Sequence, residues 1–139
     1  MRNPRVLAGR LLSAIAALFL LFDSAGKLLQ VAPVVEGSTQ LGYPESAIVP
    51  IGVILLLCVI TYMIPRTAPL GAVLSTGYMG GAIATHVRIG SPLFTHELFP
   101  LYVSVLFWGG LFLRDERLRT LVRARHHGSA AIVPRSAGH

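Results

Sequence analysis

Four apolar stretches, each long enough to cross a bilayer as a helix, fill most of the chain between Leu11 and Leu113. They run from Leu11 to Leu29, Ser46 to Ile64, Ala68 to Ile89 and Glu97 to Leu113. A membrane span takes roughly 17–25 residues at about 1.5 Å of rise each. Of the 139 residues, 53% are hydrophobic and only 13% charged, whereas about a quarter of an ordinary soluble domain is charged. The expected fold class is therefore all-α, an integral membrane four-helix bundle in a single domain. Residues 1–125 form that domain with an amphipathic C-terminal extension, and 126–139 form a disordered tail.

The placement of charge orients the bundle. Arg2, Arg5 and Arg10 precede the first stretch, Arg66 sits in the second connection, and Arg114, Arg117, Arg119, Arg123, Arg125 and Arg135 follow the fourth. By the positive-inside rule both termini and the Pro65–Thr67 turn are cytoplasmic. The net charge of +6 is then a topology signal, and it needs no nucleic-acid partner to explain it. A cleaved signal peptide is disfavoured, because Asp23 stands where cleavage near Ala25 would need a small neutral residue and the apolar run is long. Cys58, the one cysteine, reads as a small core residue.

Against this background Lys27, the only lysine, is conspicuous, because it lies one turn after Asp23 inside the first apolar stretch. At i,i+4 the two share a helix face and can pair. Lys27 would lie roughly 3–5 Å, and Asp23 roughly 9–12 Å, inside the end of the span. Ionisable groups at such depth are costly and are functional candidates by default. The third stretch brings His86 and Arg88 to a similar level, with Tyr78 and Thr85 adding hydroxyls, although Arg88 points roughly 160° away from His86 around the axis. Tyr43 in the Leu41-Gly42-Tyr43-Pro44 turn, and His96 with Glu97 at the head of the fourth stretch, complete the outer polar set. A purely structural reading makes this set a clamp, with Asp23 joined to Lys27 or Arg88 and closed by His86. A functional reading makes it a small wet pocket, in which Lys27, Arg88 and His86 hold a polar head and Asp23 or His86 moves protons. The spacing of His86 and His96 matches no zinc or haem pattern, so no metal is expected.

Two further expectations concern packing. Gly71, Ser75, Gly77, Gly80, Gly81 and Ala84 lie at helical spacing and include a GxxxG pattern, which predicts that the third span is the tightly packed, central helix. The connection from Gln30 to Glu45 reads as a loop, and Pro50 as part of the first turn of the second span. Tyr43 and Trp108 read as headgroup anchors. From Arg114 to Arg125, Leu118, Leu121 and Val122 recur among arginines, the pattern of an amphipathic helix on an anionic inner leaflet.

Phe22-Asp23-Ser24-Ala25-Gly26-Lys27-Leu28, the Leu41–Pro44 turn, Ile64-Pro65-Arg66-Thr67-Ala68, and the run from Gly77 through His86 to Arg88 followed by Pro92-Leu93-Phe94 resemble the DoxX-like group of small bacterial membrane proteins. The resemblance extends to about Leu118. It implies a four-helix bundle of the bacterial inner membrane, and some members of the broader relationship accompany thiosulfate oxidation and quinone reduction. Lys27, Tyr43, Pro44, His86 and Arg88 match motif positions, while Asp23 replaces what is often a small or neutral residue.

The resemblance thus implies a membrane protein accessory to redox or quinone-linked chemistry, with a quinone as candidate ligand and a redox enzyme as candidate partner. One alternative is a small-molecule or proton carrier acting as a homo-oligomer, and another is a membrane scaffold or assembly factor held by a polar clamp. Whether the chain is an enzyme is left open by the sequence.

Overall fold

A computed structural model describes residues 3–90 and 99–128 and, among them, consists of helices joined by short turns. In chain order these are α1 (Pro4–Leu28), α2 (Ala32–Gln40), α3 (Glu45–Met63), α4 (Ala68–Arg88), α5 (Phe99–Arg114) and α6 (Glu116–Gly128). The helix limits follow local chemistry. Asn3 caps α1 by accepting the Arg5 N–H at 3.2 Å, with Pro4 in the first turn, where its missing N–H costs nothing. Pro65 follows the extended Ile64 that closes α3, and Gly90, at φ +66°, lies just past the end of α4.

Four of the helices correspond to the apolar stretches and pack in a cycle. α1 lies against α3 and α5, while α4 lies against α3 and α5 from the other side. The contacts make successive neighbours antiparallel. Gly9 of α1 meets Leu113 and Arg114 of α5, whereas Phe19 meets Phe99 with ring centroids 4.9 Å apart. The molecule therefore has an α2 end, which holds the C-termini of α1 and α4, and an α6 end.

α1 and α3 are long and apolar enough to cross a membrane. In α4, of similar length, Gly, Ser and Thr dilute the apolarity, and α5 is shorter. Less than a third or so of each qualifying window is buried, 28% in α1 and 33% in α3, so most of this apolar surface faces outward. Leu11, Ile15, Leu18 and Phe22 on α1, with Val53, Ile54, Leu57 and Ile60 on α3, are exposed. Apolar surface of this extent on a monomer marks contact with something other than water.

The interior is sealed most tightly toward the α6 end. Tyr62 is 1% exposed and joins three helices: its hydroxyl donates to Phe107 O at 2.9 Å and, with its own hydrogen thus used, accepts from Ser13 Oγ at 2.8 Å. Its ring meets that of Phe107 edge-on at 4.3 Å, and the Arg114 guanidinium lies 4.8 Å from its centroid while donating to Tyr62 O at 3.0 Å. Small residues let the backbones come this close. A Cβ on Gly110 would stand 2.5 Å from Ser13 Oγ, one on Gly9 would stand 2.7 Å from Leu113 Cβ, and one on Gly71 would fall on the backbone of Tyr62.

Three sequence expectations are corrected. The GxxxG segment of α4 is not its packed face, because a Cβ on Gly77, Gly80 or Gly81 would meet nothing within 4 Å and all three are exposed. The buried residues of α4 are Ala68, Gly71, Ala72, Ser75 and Met79, and α1, not α4, makes the most extensive contacts. The Gln30–Glu45 connection is not all loop, since α2 fills its middle, leaning on α1 where Val34 covers Gly26. Pro50 lies in the second turn of α3, because that helix starts at Glu45. The helix expected after Arg114 is present as α6, and it runs through His126 and His127 to Gly128.

Candidate functional site

The last two turns of α1 carry the ionisable pair. Lys27 Nζ donates to Asp23 Oδ1 at 2.5 Å, with 14% of the lysine side chain and 33% of the aspartate side chain exposed. The i,i+4 spacing alone brings the charges together, and α3 determines how far they are buried. Ser24, fully buried, donates to Gly52 O at 2.9 Å. This draws α3 onto α1 until a Cβ on Gly52 would stand 2.9 Å from Lys27 Cβ. The lysine stem is thereby pinned between helices, and its ammonium is turned to the carboxylate rather than left to snorkel.

Across the ring, Tyr78 of α4 is half-buried and lies within electrostatic reach of Asp23, Tyr43 and Cys58. α1 and α4 do not pack against each other, so this proximity spans the interior of the ring. Cys58, read from sequence as a core residue, is buried as expected, and it also borders the polar set.

The turn after α2 closes over the same end. Thr85 Oγ1 donates to Gly81 O at 2.9 Å, so Tyr43 donates its hydroxyl hydrogen to Thr85, at 2.8 Å. Arg88 Nη2 donates to Leu41 O at 3.3 Å, passing Gly42, whose φ of +85° needs a glycine to make the turn. Tyr43 thus ties a turn to a helix, which differs from a free headgroup anchor. Trp108 behaves similarly: its Nε1–H donates to Thr76 Oγ1 at 2.9 Å, fastening α5 to α4.

The sequence-derived candidates therefore divide. Asp23 and Lys27 are paired, and Tyr78 lies within electrostatic reach of Asp23 and Tyr43. Arg88 goes to the Leu41 carbonyl, and among the described residues the ion pair of Asp23 is with Lys27, so the Asp23–Arg88 arm of the expected clamp is not formed. His86 is half-buried on the last turns of α4. His96 and Glu97 lie outside the described residues. Among the described residues no three His, Cys, Asp or Glu side chains are grouped as metal ligands.

The sequence reading passed over Ser24 and Gly52. A serine between Asp23 and Lys27, and a glycine in an otherwise Val, Ile and Leu helix, were the available signals. A shallow hollow of about 310 Å³ lined by Gln30, Ala32, Val35, Glu36 and Glu45 sits at the same end, and Asp23 and Lys27 do not line it.

Comparison with curated proteins and with solved structures gives no significant match. A family model does match, over residues 11–110, and that span contains every candidate named above. With the outward-facing apolar helices, the match describes a small membrane protein, and the chain belongs to the DoxX-like family.

Proposed function

We propose that the chain is a multi-pass protein of the bacterial inner membrane, a four-helix bundle with both termini cytoplasmic. Under its outer surface, at the α2 end, it binds a small polar head group, and we assign it an accessory role in quinone-linked redox chemistry.

One observation carries this reading. The work of holding the helices together is done by neutral or one-sided hydrogen bonds, from Ser24 to Gly52, Tyr43 to Thr85, Trp108 to Thr76 and Tyr62 to Phe107. The Asp23–Lys27 pair joins residues of one helix and therefore clamps nothing to α1. A charged pair in apolar surroundings with no fastening role is a candidate for binding or proton movement. Within such a site Lys27 donates a hydrogen bond to a carbonyl or phenolate oxygen, Asp23 accepts or returns a proton, and the Tyr78 hydroxyl orients the head from the far side. Electrons are supplied by a partner redox enzyme.

The second reading, an oligomeric carrier, is favoured by the open Gly77, Gly80 and Gly81 surface of α4, the kind of face that lets helices of separate copies approach closely.

Native mass spectrometry in mild detergent tests the first reading, comparing wild type with Lys27→Ala and Asp23→Asn at matched thermal stability. A quinone-sized ligand on wild type that is lost from both variants is the expected result. An empty wild type whose variants only melt earlier would return the polar residues to a structural role.

A further inference from the structure

We infer that α6 is a docking helix for acidic phospholipid headgroups on the membrane face from which it emerges, an inference that rests on the multi-pass reading above. α5 and α6 are separated by the single residue Asp115. Its N–H donates to Leu111 O at 2.9 Å and closes α5, while its Oδ1 accepts the N–H groups of Arg117 at 2.9 Å and Leu118 at 3.4 Å and opens α6. α6 therefore starts where α5, with Phe112 still exposed, leaves the apolar belt.

The apolar side of α6 is only partly covered. Leu118 packs against the core, but Leu121 is 68% and Val122 46% exposed. At about 100° per residue these three fall within an arc of roughly 100°, with Arg117 on one border and Arg119 on the other. A strip of this kind, bordered by arginines, lies in a bilayer interface, with its apolar side chains at the acyl boundary and its guanidinium groups among the headgroups. The helix carries Arg117, Arg119, Arg123 and Arg125 against the single carboxylate of Glu116.

A separate observation points to an anion from outside the chain. Among the described residues the one ion pair within α6 joins Arg119 Nη2 to Glu116 Oε1 at 3.6 Å, and the exposed Arg117 and Arg123 have no carboxylate partner there. The planar guanidinium fork of such an arginine matches the oxygens of a phosphate. An acidic phospholipid satisfies the apolar strip and the exposed arginines together, whereas a nucleic acid would leave Leu121 and Val122 in water. α6 also lies beyond the residues matched by the family model.

Hydrogen exchange followed by mass spectrometry on the full chain in nanodiscs tests this, using phosphatidylcholine alone and phosphatidylcholine mixed with phosphatidylglycerol. The expected result is protection of α1 and α3 in both lipids and protection of α6 that is stronger in the phosphatidylglycerol discs and weakens with salt. In Arg117→Gln/Arg123→Gln the α6 protection should fall roughly tenfold or more, with α1 and α3 unchanged. Equal α6 protection in both lipids, with α1 and α3 protected, overturns the docking inference and leaves the multi-pass reading standing. Unprotected α1 and α3 overturn both. α6 protection that responds to a short RNA and not to phosphatidylglycerol overturns the lipid assignment.

Discussion

The two ends of the helical ring solve different problems with similar residue types. At the α6 end, Tyr62, Ser13, Phe107 and Arg114 satisfy one another among glycines that admit no extra atom. At the α2 end, Asp23 and Lys27 form a half-buried ion pair beside the tight Gly52 contact, Tyr78 approaches across the interior, and Gly77, Gly80 and Gly81 of α4 face open space. One end is packed for rigidity, and the other keeps polar groups whose removal should change what the protein binds more than whether it folds. Sites of this kind sit at the less tightly packed end of a structure because a ligand must enter there.

The sharpest way to break the comparison is to add one carbon at matched glycines. Gly71→Ala forces a Cβ onto the Tyr62 backbone, which cannot yield as a side chain can, and should cost about 3 kcal/mol, read as a large loss of melting temperature in detergent. Tyr62→Phe comes next, at about 2 kcal/mol, because it removes the bond to Phe107 O and strands buried Ser13. Both substitutions act at the α6 end.

At the α2 end the effects should shrink. Lys27→Met leaves the Asp23 carboxylate without its cation and should cost about 1–2 kcal/mol, since a third of the aspartate side chain still reaches solvent or headgroups. Adding Asp23→Asn should recover most of that loss, because the uncompensated charge goes with it. The smallest change is expected from Gly80→Ala, where a Cβ meets nothing. It should leave the monomer unchanged or raise its stability by up to about 1 kcal/mol through helix propensity. A Gly80→Ala variant that melts as early as Gly71→Ala would erase the distinction between the two ends of α4.

These contrasts also show what the sequence could and could not reveal. The four long helices were legible because apolar run length and the arginines between runs are properties of the chain alone. The Asp23–Lys27 pair was legible because i,i+4 geometry is local. The role of each glycine was not: Gly71 and Gly80 look alike in sequence, and only the position of α3 makes the first indispensable and leaves the second open. Arg88 could not be assigned for a similar reason, since its partner is a backbone carbonyl in the turn after α2, a helix hidden in a Pro- and Gly-bearing connection. Tyr62, the hub of the interior, carries no local mark that separates it from an interfacial tyrosine.

The most direct test of the division between the ends is the thermal stabilisation given by a short-chain quinone to wild type, Tyr62→Phe and Asp23→Asn/Lys27→Met. A ligand that binds the folded state raises the melting temperature with the logarithm of its concentration over its dissociation constant. The account predicts that Tyr62→Phe melts earlier than wild type but keeps the quinone-dependent shift, while Asp23→Asn/Lys27→Met melts close to wild type and loses it. The opposite pattern, or no quinone shift in wild type, would contradict it.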